Sequence, residues 1–176
     1  MPKLRKMLGS AESPYIVALM RTLETQSKAT IASWCLDYCE IHILPVFERN
    51  CPDDDRPRSA LIASREWFAG KKKLPEVKDI ILNRCHAAAR ELNHNPTAQA
   101  AARACGQAAA CFHTPTHSLG LAFYGAAAIA YDRVGLNEKP KIYDQLAAEI
   151  CTDMLNALQA IAVENEPNPV KLKWNC

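Results

Sequence analysis

The middle of the chain contains a compositionally simple stretch, which reads AQAAARACGQAAA from Ala98 to Ala110. Eight of its thirteen residues are alanine, the strongest helix former, and small side chains allow two helices to approach closely. The stretch overlaps a run from 104 to 131 that has no formally charged residue. Polar residues at 107 and 113–118 interrupt that run, so it is not a membrane span. We predict a buried helical hairpin here, at the centre of the fold.

The prolines mark where the helices begin, because a proline in the first turn removes only an N–H that would be unpaired there anyway. Six of the eleven prolines stand at the start of a stretch with helical periodicity: Pro14, Pro57, Pro75, Pro96, Pro115 and Pro140. With Asp55 as the expected cap before Pro57, the predicted helices lie near residues 14–25, 28–49, 56–69, 75–93, 96–112, 115–134 and 139–164. Gly70 and Gly135 follow two of them, where a left-handed residue ends a helix.

These signals predict the fold class and the extent of the domain. No run alternates with period two for long enough to indicate a strand. We therefore predict an all-α fold of about seven helices, arranged as antiparallel hairpins around a buried central Ala-rich helix pair. Residues 1–164 are expected to form a single helical domain and residues 165–176 an irregular C-terminal tail.

Composition and charge narrow the range of partners. The chain has 176 residues, of which 49% are apolar and 23% charged, and its formal net charge is +2. This balance is typical of globular proteins, and a charge so small does not attract nucleic acid or an anionic membrane. No apolar leader follows the basic residues 1–7, so we predict a cytoplasmic protein whose eight cysteines are free thiols.

An acidic cluster at Asp53, Asp54 and Asp55 precedes Arg56. Such carboxylates can cap the following helix and remain solvated, or one of them can receive an arginine from another helix. Arg103 lies in the Ala-rich stretch, with a glutamine four residues to either side, and this stripe should face a polar seam. A buried guanidinium requires a partner, so we predict that at least one of the three carboxylates bonds Arg103, or Arg90 if that residue packs nearer.

Histidines surround the turn of the predicted hairpin. His113 and His117 are separated by the start of a helix, which removes the rigid spacing that a zinc pair needs. His117 shares a helix face with Tyr124, and together with Arg103 these groups could line a polar pocket for an anion or a partner. The alternative is that they are hydrogen-bonded core residues.

One further group could bind a metal. Cys35, Cys39 and His42 are spaced by four and three residues on the second predicted helix, and His86 could add a fourth zinc ligand. Trp34 shares that side of the helix, so the face is mainly core. We predict no metal and no cofactor, with these residues as the candidates if one binds. The sequence has no recognisable nucleophile motif or phosphate-binding loop, and we predict no enzyme activity.

Several motifs occur together in a fixed order. They are Pro52-Asp53-Asp54-Asp55-Arg56-Pro57-Arg58, Arg65-x-Trp67-x-x-Gly70, Ala-Ala-Arg ending at Arg90 and at Arg103, Gly106-Gln107-Ala108, and His113-x-x-x-His117-x-Leu119-Gly120. From about residue 30 to about 135 this series resembles the bacterial all-helical "putative immunity protein" family of polymorphic toxin–immunity systems. The resemblance implies an intracellular, non-enzymatic protein that binds and neutralises a cognate protein toxin.

We therefore consider one preferred function and two alternatives. The preferred hypothesis is the toxin-binding immunity protein. The alternatives are a helical protein or enzyme that holds a small ligand or metal in a polar pocket near His113, His117 and Arg103, and a structural homodimer. The candidate ligand- or partner-binding residues are Asp53, Asp54, Asp55, Arg56, Trp67, Arg90, Arg103, His113, His117 and Tyr124.

Overall fold

A computed structural model of the chain describes residues 3–174, which contain nine α-helices, two π-helical segments and no strand. In chain order the elements are α1 (Pro14–Leu23), α2 (Lys28–Tyr38), π1 (Cys39–Ile43), α3 (Leu44–Asn50), α4 (Arg56–Phe68), α5 (Leu74–Asp79), π2 (Ile80–Cys85), α6 (His86–Glu91), α7 (Pro96–Ala110), α8 (His117–Val134) and α9 (Pro140–Ile161). Because α2, π1 and α3 are continuous, as are α5, π2 and α6, the described chain forms seven helical rods. The all-α prediction is confirmed.

The predicted helix starts and ends agree closely with the observed ones. The first turns of five helices contain the prolines expected there, Pro14, Pro57, Pro75, Pro96 and Pro140. Gly70 and Gly135 both have positive φ values, 69° and 77°. The ψ of −168° at Gly135 shows that α8 ends in an extended glycine conformation rather than the predicted left-handed one. The exception is α8, which begins at His117 rather than at 115. Pro115 lies instead in a turn, and its carbonyl accepts a 2.6 Å hydrogen bond from the Ser118 hydroxyl.

The antiparallel pair α7 and α8 lies at the centre of the fold. All eight alanines of the 98–110 stretch are buried, and α7 packs along the length of α8. Helices α3, α4 and α6 cover α7, while α9 covers α8 and α2 contacts both members of the pair. The large buried side chains, such as Trp34, Phe47 and Leu121, fill the space between the pair and its neighbours. The predicted buried hairpin is therefore confirmed.

The segment π1 has an identifiable cause in the sequence. Pro45 follows it, and a proline inside a helix cannot donate the usual hydrogen bond to the carbonyl four residues earlier, which here belongs to Ile41. A π-helical turn, with its wider hydrogen-bonding step, relieves this conflict. The buried pair Tyr38 and Cys39 is followed five residues later by the buried pair Ile43 and Leu44, and Ile41 and His42 between the pairs are exposed.

Both ends of the described chain are bonded to the helical body. The N-terminal segment runs along α8, where the Leu8 N–H donates to the Phe123 carbonyl (3.2 Å). At the other end, Gln26 exchanges two hydrogen bonds with the backbone of Val163, of 3.1 and 2.8 Å. Glu166 accepts from the Ser27 N–H at 2.6 Å. No helix within residues 3–174 has the length and apolarity needed to cross a membrane.

Two glycines mark close approaches of different kinds. A Cβ at Gly106 would lie 2.5 Å from Cε1 of the His86 ring, which is a rigid neighbour. A Cβ at Gly125 would lie 2.6 Å from Cδ1 of Ile43 and 3.0 Å from Cε of Met154, which are the mobile ends of flexible side chains. The first site has no room to adapt, whereas the second can adjust by rotamer changes.

Gly106→Ala is expected to lower the free energy of unfolding by about 1–3 kcal/mol, because the ring of His86 must be displaced. Gly125→Ala, the matched control, should stay within about 1 kcal/mol of the wild type, because the gain in helix propensity offsets a small repacking cost. Urea unfolding followed by circular dichroism measures both. Equal stabilities for Gly106→Ala and the wild type would show that α6 does not pack on α7 as described.

Candidate functional site

Polar side chains form a continuous row along one side of the α7–α8 hairpin, which we call the polar seam. Its members are Gln99, Arg103 and Gln107 on α7, His117 and Tyr124 on α8, and His86 on α6. The Nε2 amide of Gln99 donates to the Ala89 carbonyl at 2.7 Å, and Nδ1 of His117 donates to Oε1 of Gln107. Two of the three residues of the α7 stripe, Gln99 and Gln107, therefore form hydrogen bonds to neighbouring elements.

Arg103 has a different neighbour from the one predicted. Its guanidinium carbon lies 5.7 Å from the centre of the Tyr124 ring, in a cation–π arrangement. Its Nε atom is buried without a hydrogen-bond partner, and such an unsatisfied donor costs about 1–3 kcal/mol. Among residues 3–174, neither Arg103 nor Arg90 forms an ion pair. The predicted bond to the acidic cluster is therefore wrong.

The acidic cluster does not reach Arg103, because its most buried carboxylate, that of Asp54, binds Arg56 instead. Both carboxylate oxygens of Asp54 accept from the Arg56 side chain, the shortest bond being 2.7 Å, and one also accepts the Arg56 N–H at 3.1 Å. Arg56 also binds Glu91 at 2.7 Å, which joins the start of α4 to the end of α6. The Arg56 guanidinium holds the pKa of the Asp54 carboxyl below its usual value.

The other two carboxylates of the cluster contribute less. Asp55 occupies the N-cap position of α4 but makes no capping hydrogen bond through its side chain. The predicted capping role of Asp55 thus belongs to Asp54. The nearest guanidinium to Asp55 is that of Arg84, at 3.9 Å, and Asp53 is exposed. The cluster fits a scaffold role better than a partner site.

The histidines near the seam are held in their neutral forms. Burial lowers the pKa of His86, and the nearby positive charge of Arg103 lowers it further. Burial also lowers the pKa values of His117 and His113. The rings of His113 and His117 lie 6.5 Å apart, and Nδ1 of His113 has no hydrogen-bond partner in the described chain. The ring of His86, a possible fourth zinc ligand from the sequence, lies against Gly106 of α7.

Trp67 lies outside the seam and joins α4 to the hairpin turn. Its ring centre is 4.5 Å from that of Phe112 and 5.1 Å from that of Phe68. Phe112 is buried, whereas Phe68 is exposed. Trp67 is therefore a partly exposed packing residue in this structure.

The cysteines line the contact between α2 and α7. The sulfurs of Cys35 and Cys111 are 3.1 Å apart, and those of Cys39 and Cys105 are 3.5 Å apart. Burial raises the pKa of the Cys35 thiol, and a thiol of this kind is unreactive. The seven cysteines of the described residues are all unpaired thiols.

The proposed metal candidates do not meet. His42 is exposed, whereas Cys35 and Cys39 are buried. The expectation of one shared face is wrong, because π1 changes the angular step along the helix between Cys39 and His42. Across residues 3–174, no three His, Cys, Asp or Glu side chains gather closely enough to hold a metal ion.

The structure also contains a cavity that none of the predicted ligand- or partner-binding residues lines. It is an open groove of about 920 Å³ between π1, α3, the end of α8 and α9, and we call it the π1 groove. Fifteen residues line it: Tyr38, Ile41, His42, Pro45, Val46, Arg49, Ile129, Asp132, Arg133, Ala148, Glu149, Ile150, Thr152, Asp153 and Asn156. Ile41 is 66% exposed, more than any other large apolar side chain of the described residues. Pro45, the cause of π1, is the signal by which the sequence indicates this site.

Four of the five charged groups of the π1 groove form ion pairs with one another. Arg49 binds Asp132 at 2.7 Å, and Arg133 binds Glu149 at 2.8 Å. The hydroxyl of Tyr38 donates to Asp153 at 2.9 Å, and burial together with this bond raises the pKa of Tyr38. The groove thus has an apolar floor and a polar rim of two arginines and three carboxylates, whose formal charge is −1.

The architecture defines an all-helical protein built on one hairpin, with a polar seam and an open groove. A family model described as "Imm-5 like putative immunity protein" matches residues 21–157, more than three quarters of the chain. The chain therefore belongs to the Imm-5 like putative immunity protein family. The match includes all fifteen groove residues and the whole polar seam. The chain matches no curated protein and no solved structure.

Acidification from about pH 7.5 to about pH 5.5 is expected to destabilise the fold. The folded-state pKa values of His86 and His117 lie below the ordinary 6.5, so the unfolded chain binds more protons in this range. Their contribution to the free energy of unfolding is complete above pH 6.5 and is lost as the pH falls through the folded-state values.

Urea unfolding across this pH range measures the effect, and His86→Asn should show a shallower pH dependence than the wild type. Histidine ring titrations by NMR give the individual values. A pKa for His86 at or above 6.5 would contradict the burial of its ring against α7.

Proposed function

We propose that this chain is a non-enzymatic immunity protein that neutralises a cognate bacterial toxin by binding it directly. Membership of the Imm-5 like family supports the immunity role. The observation that carries the binding mode is the π1 groove, with its exposed Ile41 and its polar rim. Protein interfaces of high affinity commonly place a few apolar anchors inside such a rim, which excludes water from them.

Ile41 is the proposed anchor residue. The π1 turn holds this side chain outward, whereas a regular helix would continue the buried stripe of α2 through this region. Full burial of a side chain of this size stabilises a complex by about 1.5–3 kcal/mol. Val46 and Ile129 also line the groove but are themselves buried, with 3% and 8% of their surface exposed.

The charge of the groove supports recognition by shape rather than by electrostatic steering. Its two arginines already bind Asp132 and Glu149, and the whole chain carries a formal charge of only +2. Long-range attraction to a strongly charged toxin would require an unbalanced field. We therefore expect the toxin to present an apolar segment to the groove, and we expect the association to depend weakly on salt.

The state of the thiols supports a non-catalytic role in the cytoplasm. Cys111 is the cysteine nearest in sequence to His113, yet its thiol is buried 3.1 Å from Cys35 and donates to the Gln107 carbonyl at 3.3 Å. It makes no hydrogen bond to a base within the described chain, and a nucleophile needs one. Unpaired thiols are stable in a reducing compartment.

Ile41→Asp is expected to abolish protection when the chain is co-expressed with the toxin encoded beside it. The substitution removes the anchor and places a charge on the groove floor, which should weaken binding by a factor of about 30 or more. Growth rescue and co-purification are the measurements. Leu82→Asp is the matched control, because Leu82 is 56% exposed and also lies in a π-helical segment, π2.

Circular dichroism and gel filtration establish that both variants fold and keep the oligomeric state of the wild type. Full protection by a folded Ile41→Asp variant would show that the toxin binds elsewhere. Loss of protection with Leu82→Asp alone would move the interface to the surface near π2. A lower oligomeric state of Ile41→Asp in the absence of toxin would mean that a second copy of the chain occupies the groove.

A further inference from the structure

A second cavity lies at the end of the α7–α8 hairpin away from its turn. Its volume is about 180 Å³, and we call it the Arg103 pocket. The N-terminal segment forms one wall with Lys6, and the corner between α6 and α7 forms another with Asn93. The remaining polar side chains of the lining belong to Gln99 and Arg103 of α7 and to Tyr131 of α8. The pocket continues the polar seam to the surface.

The lining of this pocket carries only positive charge. Arg5, Lys6 and Arg103 line it, and no carboxylate does so within residues 3–174. Arg5 is neutralised by Asp144 at 2.7 Å, but neither Lys6 nor Arg103 has a carboxylate partner in the described chain. Two cations therefore share one small cavity, an arrangement that favours an anionic ligand and disfavours a cationic one.

The hydrogen-bond donors of the pocket are positioned before any ligand arrives. The Tyr124 ring supports the Arg103 guanidinium, whose Nε–H is buried and unpaired. Gln99 donates to Oδ1 of Asn93 at 3.0 Å, which fixes the orientation of this amide, and the amide N–H groups of Asn93 make no hydrogen bond within residues 3–174. The Tyr131 hydroxyl donates to the Arg5 carbonyl and so fixes the N-terminal wall. A planar guanidinium with a neighbouring amide matches the oxygens of a carboxylate or phosphate.

The volume of the Arg103 pocket limits the size of the ligand. At about 30 Å³ for each water in the liquid, the pocket has room for roughly six waters. We propose that the Arg103 pocket binds the oxyanion group, carboxylate or phosphate, of a small free molecule. This ligand site is separate from the proposed toxin-binding groove and does not depend on it.

The test is a titration of the wild-type chain with inorganic phosphate and, separately, with sodium acetate, each in 0.15 M NaCl. The Nε–H of Arg103 is buried, so its NMR signal can be followed directly. At least one of the two anions should shift this signal, with saturation below about 10 mM at an ionic strength that screens diffuse surface attraction. Tighter binding of acetate would identify a planar carboxylate site, and tighter binding of phosphate a tetrahedral one.

Two variants and a control decide whether the shift reports this pocket. Arg103→Gln should weaken anion binding at least tenfold, as measured by calorimetry. Lys6→Gln should weaken anion binding by up to about fivefold. Because Lys6 is exposed, this variant should fold even if Arg103→Gln does not. Arg84→Gln removes an equal charge from an exposed site on π2 and should leave the affinity unchanged.

No saturable shift with either anion would overturn the proposal. It would also be overturned by equal losses of affinity in Lys6→Gln and Arg84→Gln, because binding would then depend only on overall charge. The experiment measures anion binding and not protection from a toxin, and its variants leave Ile41 unchanged. Its result therefore does not depend on whether the π1 groove binds a toxin.

Discussion

The close packing of α7 on α8 through alanine side chains is the constraint on which the rest of the structure depends. Two helices can lie side by side over their whole length only if the residues between them are small. Each alanine buries little apolar area, so the pair gains most of its stability from the larger side chains that surround it. Trp34 from α2 and Phe47 from α3 are among these. Helices α2, α3, α4, α6 and α9 are therefore arranged around the hairpin.

This arrangement also determines where polar groups can lie. The stripe that includes Arg103 cannot be covered by apolar helices at acceptable cost, so it opens along the seam and ends in a pocket. Of the three carboxylates predicted to reach Arg103, Asp54 is engaged in a clamp with Arg56 and Glu91. Asp55 lies near Arg84, and Asp53 is exposed. One set of charges thus joins α4 to α6, while Arg103 remains a cation without a carboxylate partner in the described chain.

The fold was largely predictable from the sequence because prolines and alanines act locally. A proline marks the first turn of its own helix. An alanine-rich run without charges predicts a buried helix, whichever helices it packs against. The sites were less predictable because they depend on which helices meet. The seam stripe on α7 was predicted from its spacing, but the position of His86 beside it depends on how α6 crosses α7 at Gly106. The groove follows from Pro45, whose effect on the helix hydrogen bonds moves the buried stripe by one residue and exposes Ile41.

Native-state hydrogen exchange of the free chain tests the central position of the hairpin most directly. If the alanine-packed pair supports the whole fold, the amides of α7 and α8 exchange only through global unfolding. They should then be the slowest in the protein, with a free energy of opening equal to that of urea unfolding. The amides of α1 and of residues 162–174 should exchange through smaller openings. Exchange of α7 and α8 at a lower free energy than α9 would contradict this description of the fold.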